Sequence, residues 1–264
     1  MRWFPVALTV ALAAALAFLT LPIVAIFVDS SPADLVDSLG EQGALDALWL
    51  SLRTTAAALA IILIVGTPAA YMLATRSFRG KALLVTLVEL PLVLPPAVAG
   101  IALLAAVGPE GLLGGAIEAA GIQLTLATAG VVVALTFVAS PFYMRQAMAA
   151  FAAVDRSLLD ASRTLGASEA RSFVRVMIPT AMPGLVAGGA LALGRALGEF
   201  GATLMFAGSF QGITQTVPLA IYDRFSTDFQ GALALSAVLV AVSGAILLSV
   251  KLVQGSEALG GAPR

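Results

Sequence analysis

The sequence has 264 residues, of which 60% are hydrophobic and 11% are charged, and its formal net charge is −1. Soluble domains have roughly 45–50% apolar and about 25% charged residues, so this composition and a mean hydropathy of +1.02 predict an integral membrane protein. The charge balance offers no basic face for nucleic acid. Cys and His are both absent, which excludes disulfides, thiolate or His-based catalysis, and zinc sites built from these residues.

Six segments are long and apolar enough to cross about 30 Å of hydrocarbon, which takes roughly 20 residues. In chain order they cover residues 3–28, 45–74, 82–107, 124–150, 181–207 and 229–253. The apolar run of the first segment is longer than that of a secretion signal, so we expect an anchor that is retained. The short connections and the absence of a repeat predict one all-α membrane domain over residues 1–264.

The charges in the connections predict the orientation, because loops rich in Lys and Arg stay in the cytoplasm. The connections 29–44 and 108–123 contain acids and no base, whereas 75–81 and 151–180 are basic. This pattern predicts both termini in the cytoplasm. The acids of the outer loops are Asp29, Asp34, Asp37, Glu41, Glu110 and Glu118, and the bases near the inner face are Arg2, Arg76, Arg79, Lys81, Arg156, Arg163, Arg171, Arg175, Lys251 and Arg264.

The cytoplasmic segment 151–180 is the longest connection. Leucines at helical spacing predict an amphipathic helix over residues 155–165, and Gly166 is suited to end it in the left-handed conformation. Ser168 is an N-cap for a second helix, which Pro179 and Pro183 are expected to interrupt before the fifth span. An interfacial helix on lipid headgroups and a protein-docking surface both fit this pattern.

A proline cluster, ELPLVLPPAVAG over residues 89–100, lies in the middle of the third span. Pro91, Pro95 and Pro96 remove backbone donors and predict a kink or break. Freed carbonyls in lipid persist only where protein or a water-filled path satisfies them, although a packing kink is an equal alternative. Glu89 beside the cluster is either a gate residue or a partnered buried acid.

Arg195 and Glu199 are charged residues inside the fifth span, in GRALGEFGATLMFAG. On a continuous helix both share a sector of about 60° with Gly184, Gly188 and Ala202, opposite the bulky residues. Their i, i+4 spacing lets them meet, and a charge in a span belongs against protein or water. Two roles stay open: a structural pair that holds the helix to a neighbour, or a positive field for a passing anion.

One motif in the cytoplasmic segment carries a resemblance. Asp160-Ala161-Ser162, three residues, Gly166, nine residues and Val176-Met177-Ile178-Pro179 resembles the signature of bacterial ABC importer permeases, Glu-Ala-Ala, three residues, Gly, nine residues, Ile-x-Leu-Pro. The resemblance implies a type I permease fold in which this segment forms coupling helices that dock on a cytoplasmic ATPase. The implied coupling residues are Asp160, Ala161, Ser162, Gly166 and Pro179.

The stretches ELPLVLPPAVAG, LGEFGATLMFAG and QTVPLAIY look like the molybdate permease subfamily, whose relatives carry tungstate and sulfate. The resemblance implies a homodimer in a prokaryotic inner membrane, ATPase subunits that bind ATP and Mg²⁺, and an external oxyanion-binding protein. No cofactor or metal is expected on this chain, which has no phosphate-binding loop. The implied path or gate residues are Arg195, Glu199, Glu89, Pro95 and Pro96.

Two other classes of protein fit the sequence less well. An intramembrane enzyme would need a nucleophile, a metal set or an Asp dyad, and the spans contain none of these arrangements. An ion-driven secondary transporter should show inverted repeats and has no use for an ATPase-docking signature.

Overall fold

The computed structural model describes residues 3–30, 40 and 42–260, and every regular element in these residues is helical. The predictions that concern Arg2, Asp34, Asp37, Glu41 and Arg264 lie outside the described residues, as does the side chain of Lys251. The helices are α1 Trp3–Asp29, α2 Gln42–Thr75, α3 Lys81–Val93, α4 Pro96–Val107, α5 Gly114–Ala119, α6 Thr128–Ala152, α7 Arg156–Thr164, α8 Glu169–Ser172, α9 Ile178–Leu197, α10 Gly201–Ala207, α11 Val217–Phe225 and α12 Phe229–Gly260.

Five helices in the described part of the chain are long and apolar enough to span a membrane. The predicted third span is instead two shorter helices, α3 and α4, which meet at an extended Leu94. A residue before proline is driven out of the α region, which explains Leu94, and Pro96 stands at the first position of α4, where no N–H is needed. Pro91 lies inside α3 and does not end it.

The prediction for the fifth span is wrong at both ends. Pro179 and Pro183 do not interrupt the helix, which runs without a break from Glu169 to Leu197. One π-helical turn, Phe173–Met177, joins α8 to α9, and Pro179 follows in the first turn of α9, where a missing N–H is tolerated.

The same segment breaks further on, without a proline. The chain leaves the helix after Leu197, passes through Glu199 and starts again as α10 at Gly201. The predicted common face therefore holds only as far as Arg195. Ala202 lies on a different helix from Gly184 and Gly188.

The core is built around α6, which packs against α2 and α9. Tyr143 on α6 is almost fully buried, and its hydroxyl lies 2.6 Å from Oγ1 of Thr67 on α2. A Cβ added at Gly66 or Gly188 would lie 3.1–3.2 Å from the Tyr143 ring, so glycines on α2 and α9 make room for it. This contact holds three helices together.

The remaining helices pack around this core. Helices α4 and α10 form a pair against α6, and α11 packs between α2 and α12. The N–H of Val217, at the start of α11, donates to Oγ of Ser51 over 2.8 Å. Helix α1 packs against α12, and none of its residues is buried within this chain.

Candidate functional site

The first part of the signature segment, residues 155–168, folds as the sequence predicts, with one helix stop and two N-terminal caps. Asp155 caps α7 by accepting the Ser157 N–H over 2.9 Å, and this hydrogen bond holds the pKa of Asp155 below its ordinary value. Gly166 has φ +77°. Its N–H donates to the Arg163 carbonyl, and the Ala167 N–H donates to the Ser162 carbonyl. These bonds satisfy the last carbonyls of α7. Ser168 caps α8, as expected.

The motif residues divide into an outward surface and an internal link. The side chain of Asp160 is 73% exposed, and Ala161 and Gly166 are exposed beside it. Leu165, next to the helix stop, is 88% exposed. Ser162 instead faces inward, with its Oγ 2.7 Å from Oγ of Ser172 on α8.

Ion pairs connect this surface to the loop between α2 and α3. Arg163 lies 3.5 Å from Asp160 and 3.9 Å from Glu169, and Glu169 also pairs with Arg76 at the end of α2. Each pair is about half exposed, so none adds much to stability. The chain of charges connects α7 and α8 to the residue that follows α2. We call the end of the molecule formed by residues 75–81 and 152–177 the coupling end.

Beneath the ion pairs lies a cleft of about 360 Å³. Its apolar wall includes Tyr71 and Phe151, whose ring centroids are 5.5 Å apart, and the tilted ring of Phe173 lies 4.6 Å from that of Tyr71. Phe173 opens the π-helical turn. The aromatic cluster therefore joins α2, α6 and the long helix, which is the continuous run from Glu169 to Leu197, at the level where the coupling end meets the spans.

The two broken helices lie side by side at their breaks. A Cβ added at Gly201 would be 2.7 Å from Cβ of Pro96, and one added at Gly100 would be 2.8 Å from the Ala202 carbonyl. Such distances require glycine, because a real Cβ does not approach other atoms so closely. The structure thus brings the Pro95-Pro96 break and the break at Glu199 to one level of the bundle.

Glu199 joins the two halves of the fifth span. Its side chain is 1% exposed; Oε1 accepts the Ala202 N–H over 2.7 Å, and Oε2 lies 2.5 Å from Nη2 of Arg195. The second contact is ionic and lacks the direction of a hydrogen bond. Arg195 itself is 26% exposed. The predicted pair is confirmed, and Glu199 links the end of α9 to the first turn of α10.

Glu89 is partnered by a residue that the sequence analysis missed. Oε1 of Glu89 lies 3.7 Å from Nε of Arg145 on α6, with the two side chains 39% and 71% exposed. A charge in mid-membrane costs about 3 kcal/mol or more. The sequence held one signal for Arg145, a lone arginine inside the fourth apolar segment, but nothing in it connects residues that are 56 positions apart.

The described residues contain no group of three or more His, Cys, Asp or Glu side chains that could hold a metal ion.

The arrangement of helices is that of a membrane permease of the ABC importer type. It resembles a bacterial ABC transporter involved in the import of the acidic polysaccharide alginate, with a TM-score of 0.76 and 16% identity over 96% of both chains. It also resembles the MetNI methionine ABC transporter, with a TM-score of 0.63 and 18% identity, over 80% of this chain and 94% of the other. Likeness at this identity establishes the fold.

The sequence places the chain within a family. Residues 66–255 match the binding-protein-dependent transport system inner membrane components, and the chain belongs to that family. It is therefore a multi-pass membrane component of a transport system and not an enzyme.

Several curated relatives have similar length. The chain is 47% identical over 206 residues to the molybdenum transport system permease protein ModB of Mycobacterium tuberculosis, which covers 77% of both chains. It is 38% identical over 237 residues to a probable transport system permease protein, NifC, of Clostridium pasteurianum, covering 89% of this chain and 82% of that one. A probable molybdenum ABC transporter permease of Haloferax volcanii is 41% identical over 235 residues, covering 88% and 84%.

Proposed function

We propose that this chain is the membrane subunit of an ATP-driven importer that moves a tetrahedral oxyanion, in the first place molybdate, into the cytoplasm. Tungstate and sulfate are the alternative substrates of the same type. The observation that carries the proposal is the coupling end, where a motif with the spacing of the signature begins on an exposed, capped helix. The relatives that are named as molybdenum permeases support the choice of anion.

The same surface indicates the ATPase partner, and the resemblance to importer permeases supplies the other partners. A homodimer of this chain would carry two cytoplasmic ATPase subunits, which bind ATP and Mg²⁺, and an external binding protein would deliver the anion. Asp160, Ala161 and Gly166 contact the ATPase, together with the exposed Leu165. Ser162 and Pro179 act within the chain, since one links α7 to α8 and the other follows the π-helical turn. Closure of the ATPase would thus pull directly on the fifth span, because the helix from Glu169 to Leu197 is continuous.

The path residues are assigned to the paired helix breaks. Pro95 and Pro96 end one helix where Glu199 interrupts another, and Arg195 places a positive charge at that level. Glu89 gates the path nearer to the coupling end. In this assignment Glu199 holds α9 to α10, and Arg195 lends its field to the anion.

Copurification and uptake test the proposal. The chain, coexpressed with the ATPase and binding protein encoded in the same organism, should form a complex that takes up molybdate into vesicles when ATP is supplied. Gly166→Trp should abolish both ATPase binding and uptake. Gly166→Asn is the matched control, since Asn tolerates the left-handed conformation and space around Gly166 is open, so assembly and uptake should persist.

Three further results would each correct one part of the proposal. Full uptake by Gly166→Trp in a stable complex would refute the coupling surface. Uptake of tungstate or sulfate in preference to molybdate would correct the substrate. Unchanged uptake by Arg195→Gln in a normally assembled complex would remove Arg195 from the path.

A further inference from the structure

The ion pair of Glu89 and Arg145 lies well inside the length of the spans. Arg145 stands seven residues before the end of α6 at Ala152, and Glu89 eight residues after the start of α3 at Lys81. At 1.5 Å per residue both positions are about 10–12 Å from the coupling end. The Arg145 side chain nevertheless remains 71% exposed, outside the packed core of the chain.

Lipid is an unsuitable environment for this pair. A long arginine side chain can reach toward the headgroups, but a glutamate at the same depth is too short to follow it. Charged groups within a membrane face water or protein. The exposed sides of Glu89 and Arg145 therefore border a water-filled space or the twofold mate, beside the surface shared by α3 and α6.

The second charged pair, Arg195 and Glu199, lies further from the coupling end, and contacts between helices give its depth. A Cβ added at Gly188 on α9 would be 3.1 Å from Cβ of Gln146, so Gly188 is level with Arg145 on α6. Arg195 lies seven residues beyond Gly188, which is about 10 Å further from the coupling end.

We propose that Arg145 is a second contact for the tetrahedral dianion, about 10 Å nearer the coupling end than Arg195, and that Glu89 neutralises it between passages. The inference rests on the proposed oxyanion transport and adds a residue that neither the signature motif nor the relatives assign. A guanidinium offers a dianion several charge-assisted hydrogen bonds. Glu89, 3.7 Å away, competes for the same guanidinium, so the anion is held weakly enough to leave.

The natural absence of cysteine makes a direct charge-rescue experiment possible. Arg145→Cys is assembled with its partner subunits in phospholipid vesicles, and ATP-driven molybdate uptake is measured. Uptake should fall by about tenfold or more, since the loss of even one charge-assisted hydrogen bond has an effect of that size. Aminoethyl methanethiosulfonate then adds an ammonium group: the thiolate forms a disulfide with the sulfenyl sulfur, and methanesulfinate leaves.

The added ammonium should restore uptake several-fold, whereas methyl methanethiosulfonate, which adds a neutral group by the same reaction, should not. The reagents act on an assembled complex, so a folding defect cannot account for a difference between them. Leu12→Cys, in the middle of the apolar α1, is the control and should respond to neither reagent. Equal recovery with both reagents, or full uptake by Arg145→Cys itself, overturns the proposal.

A purely structural ion pair makes a different prediction. If Arg145 only balances Glu89, the double variant Glu89→Gln/Arg145→Gln should regain uptake that Arg145→Gln loses. We expect the double variant to stay low, and Arg145→Lys to keep more uptake than Arg145→Gln in a complex of equal yield. Recovery in the double variant refutes the contact. Absence of uptake of any of the three oxyanions by the unmodified complex refutes the proposed function itself, and this inference with it.

Discussion

At the scale of single residues, Glu199 has two partners that no neutral side chain replaces together. It caps α10 through Ala202 and neutralises Arg195. Glu199→Ala should destabilise the permease by about 3 kcal/mol, because a buried ion pair is broken and a helix N-terminus loses its acceptor. Glu199→Gln should destabilise it less, since the amide oxygen still accepts the Ala202 N–H. Thermal unfolding of the purified protein in detergent measures both.

A double-variant cycle separates the two contacts. Arg195→Gln added to Glu199→Gln should cost little more, because the lone buried charge is gone. Additive losses would mean that the two charges do not depend on each other.

Tyr143 provides a second test at this scale, since glycines on two helices accommodate its ring. Gly188→Ala should lower stability by about 1–3 kcal/mol, because the new methyl group would lie about 3.2 Å from the Tyr143 ring and carbonyl. Gly244→Ala on α12 is the control: nothing lies within 4 Å there, and alanine favours a helix by about 1 kcal/mol. A stabilising effect of both substitutions in thermal unfolding would contradict the close packing.

At the scale of helices, α7 is held at its start by a titrating cap. The pKa of Asp155 is lowered because the ionised carboxylate accepts the Ser157 N–H. A depressed pKa means that the contribution to stability is present above the ordinary value and is lost as the pH falls through the lowered one. Protection of residues 156–164 from hydrogen exchange, corrected for intrinsic rates, should therefore fall below about pH 4.

Asp155→Asn isolates this effect. Asparagine is an equally good N-cap and does not titrate, so protection of α7 in this variant should not change over the same range. A parallel loss of protection in both proteins would show that another group melts the helix.

The helices also show how far local sequence rules reach. Gly166, Ser168 and the break at Pro95 were predictable because each depends on neighbours in the chain. The continuity past Pro179 was not, since it depends on a π-helical turn that no residue type specifies. The break at Glu199 was missed for a related reason: it contains no proline, and its stabilising contact is made with the following helix.

The candidate site follows the same division. The pair of Arg195 and Glu199 is local in sequence, and the two side chains meet as predicted. The contacts of Arg145 with Glu89 and of Arg76 with Glu169 join distant segments, so only the packing of α6 against α3, and of the long helix near α2, reveals them.

At the scale of the whole molecule, the remaining prediction is how often the chain crosses the membrane. Within the described residues five helices are long enough to span it, and a sixth crossing requires α3 and α4 to cross together despite their break. Their combined rise, 25 residues at 1.5 Å, is about 38 Å and exceeds a hydrocarbon thickness of about 30 Å. The broken pair is therefore long enough, and basic residues at its start and acidic ones after its end favour a full crossing.

Single cysteines in this cysteine-free chain test the crossing directly. In intact cells, a membrane-impermeant thiol reagent should label Gln123→Cys and Gln211→Cys, which lie in exposed loops beyond α5 and α10. Arg79→Cys, before α3, and Arg171→Cys, at the coupling end, should be labelled only after the cells are permeabilised. If α3 and α4 formed a re-entrant loop, Arg79→Cys and Gln123→Cys would react from the same side, and the six-span topology would be refuted. If Arg79→Cys and Gln123→Cys react from opposite sides, α3 and α4 cross the membrane together. The paired breaks at Pro95 and Glu199 then lie near the middle of the membrane, at a level that a path between the two faces must pass.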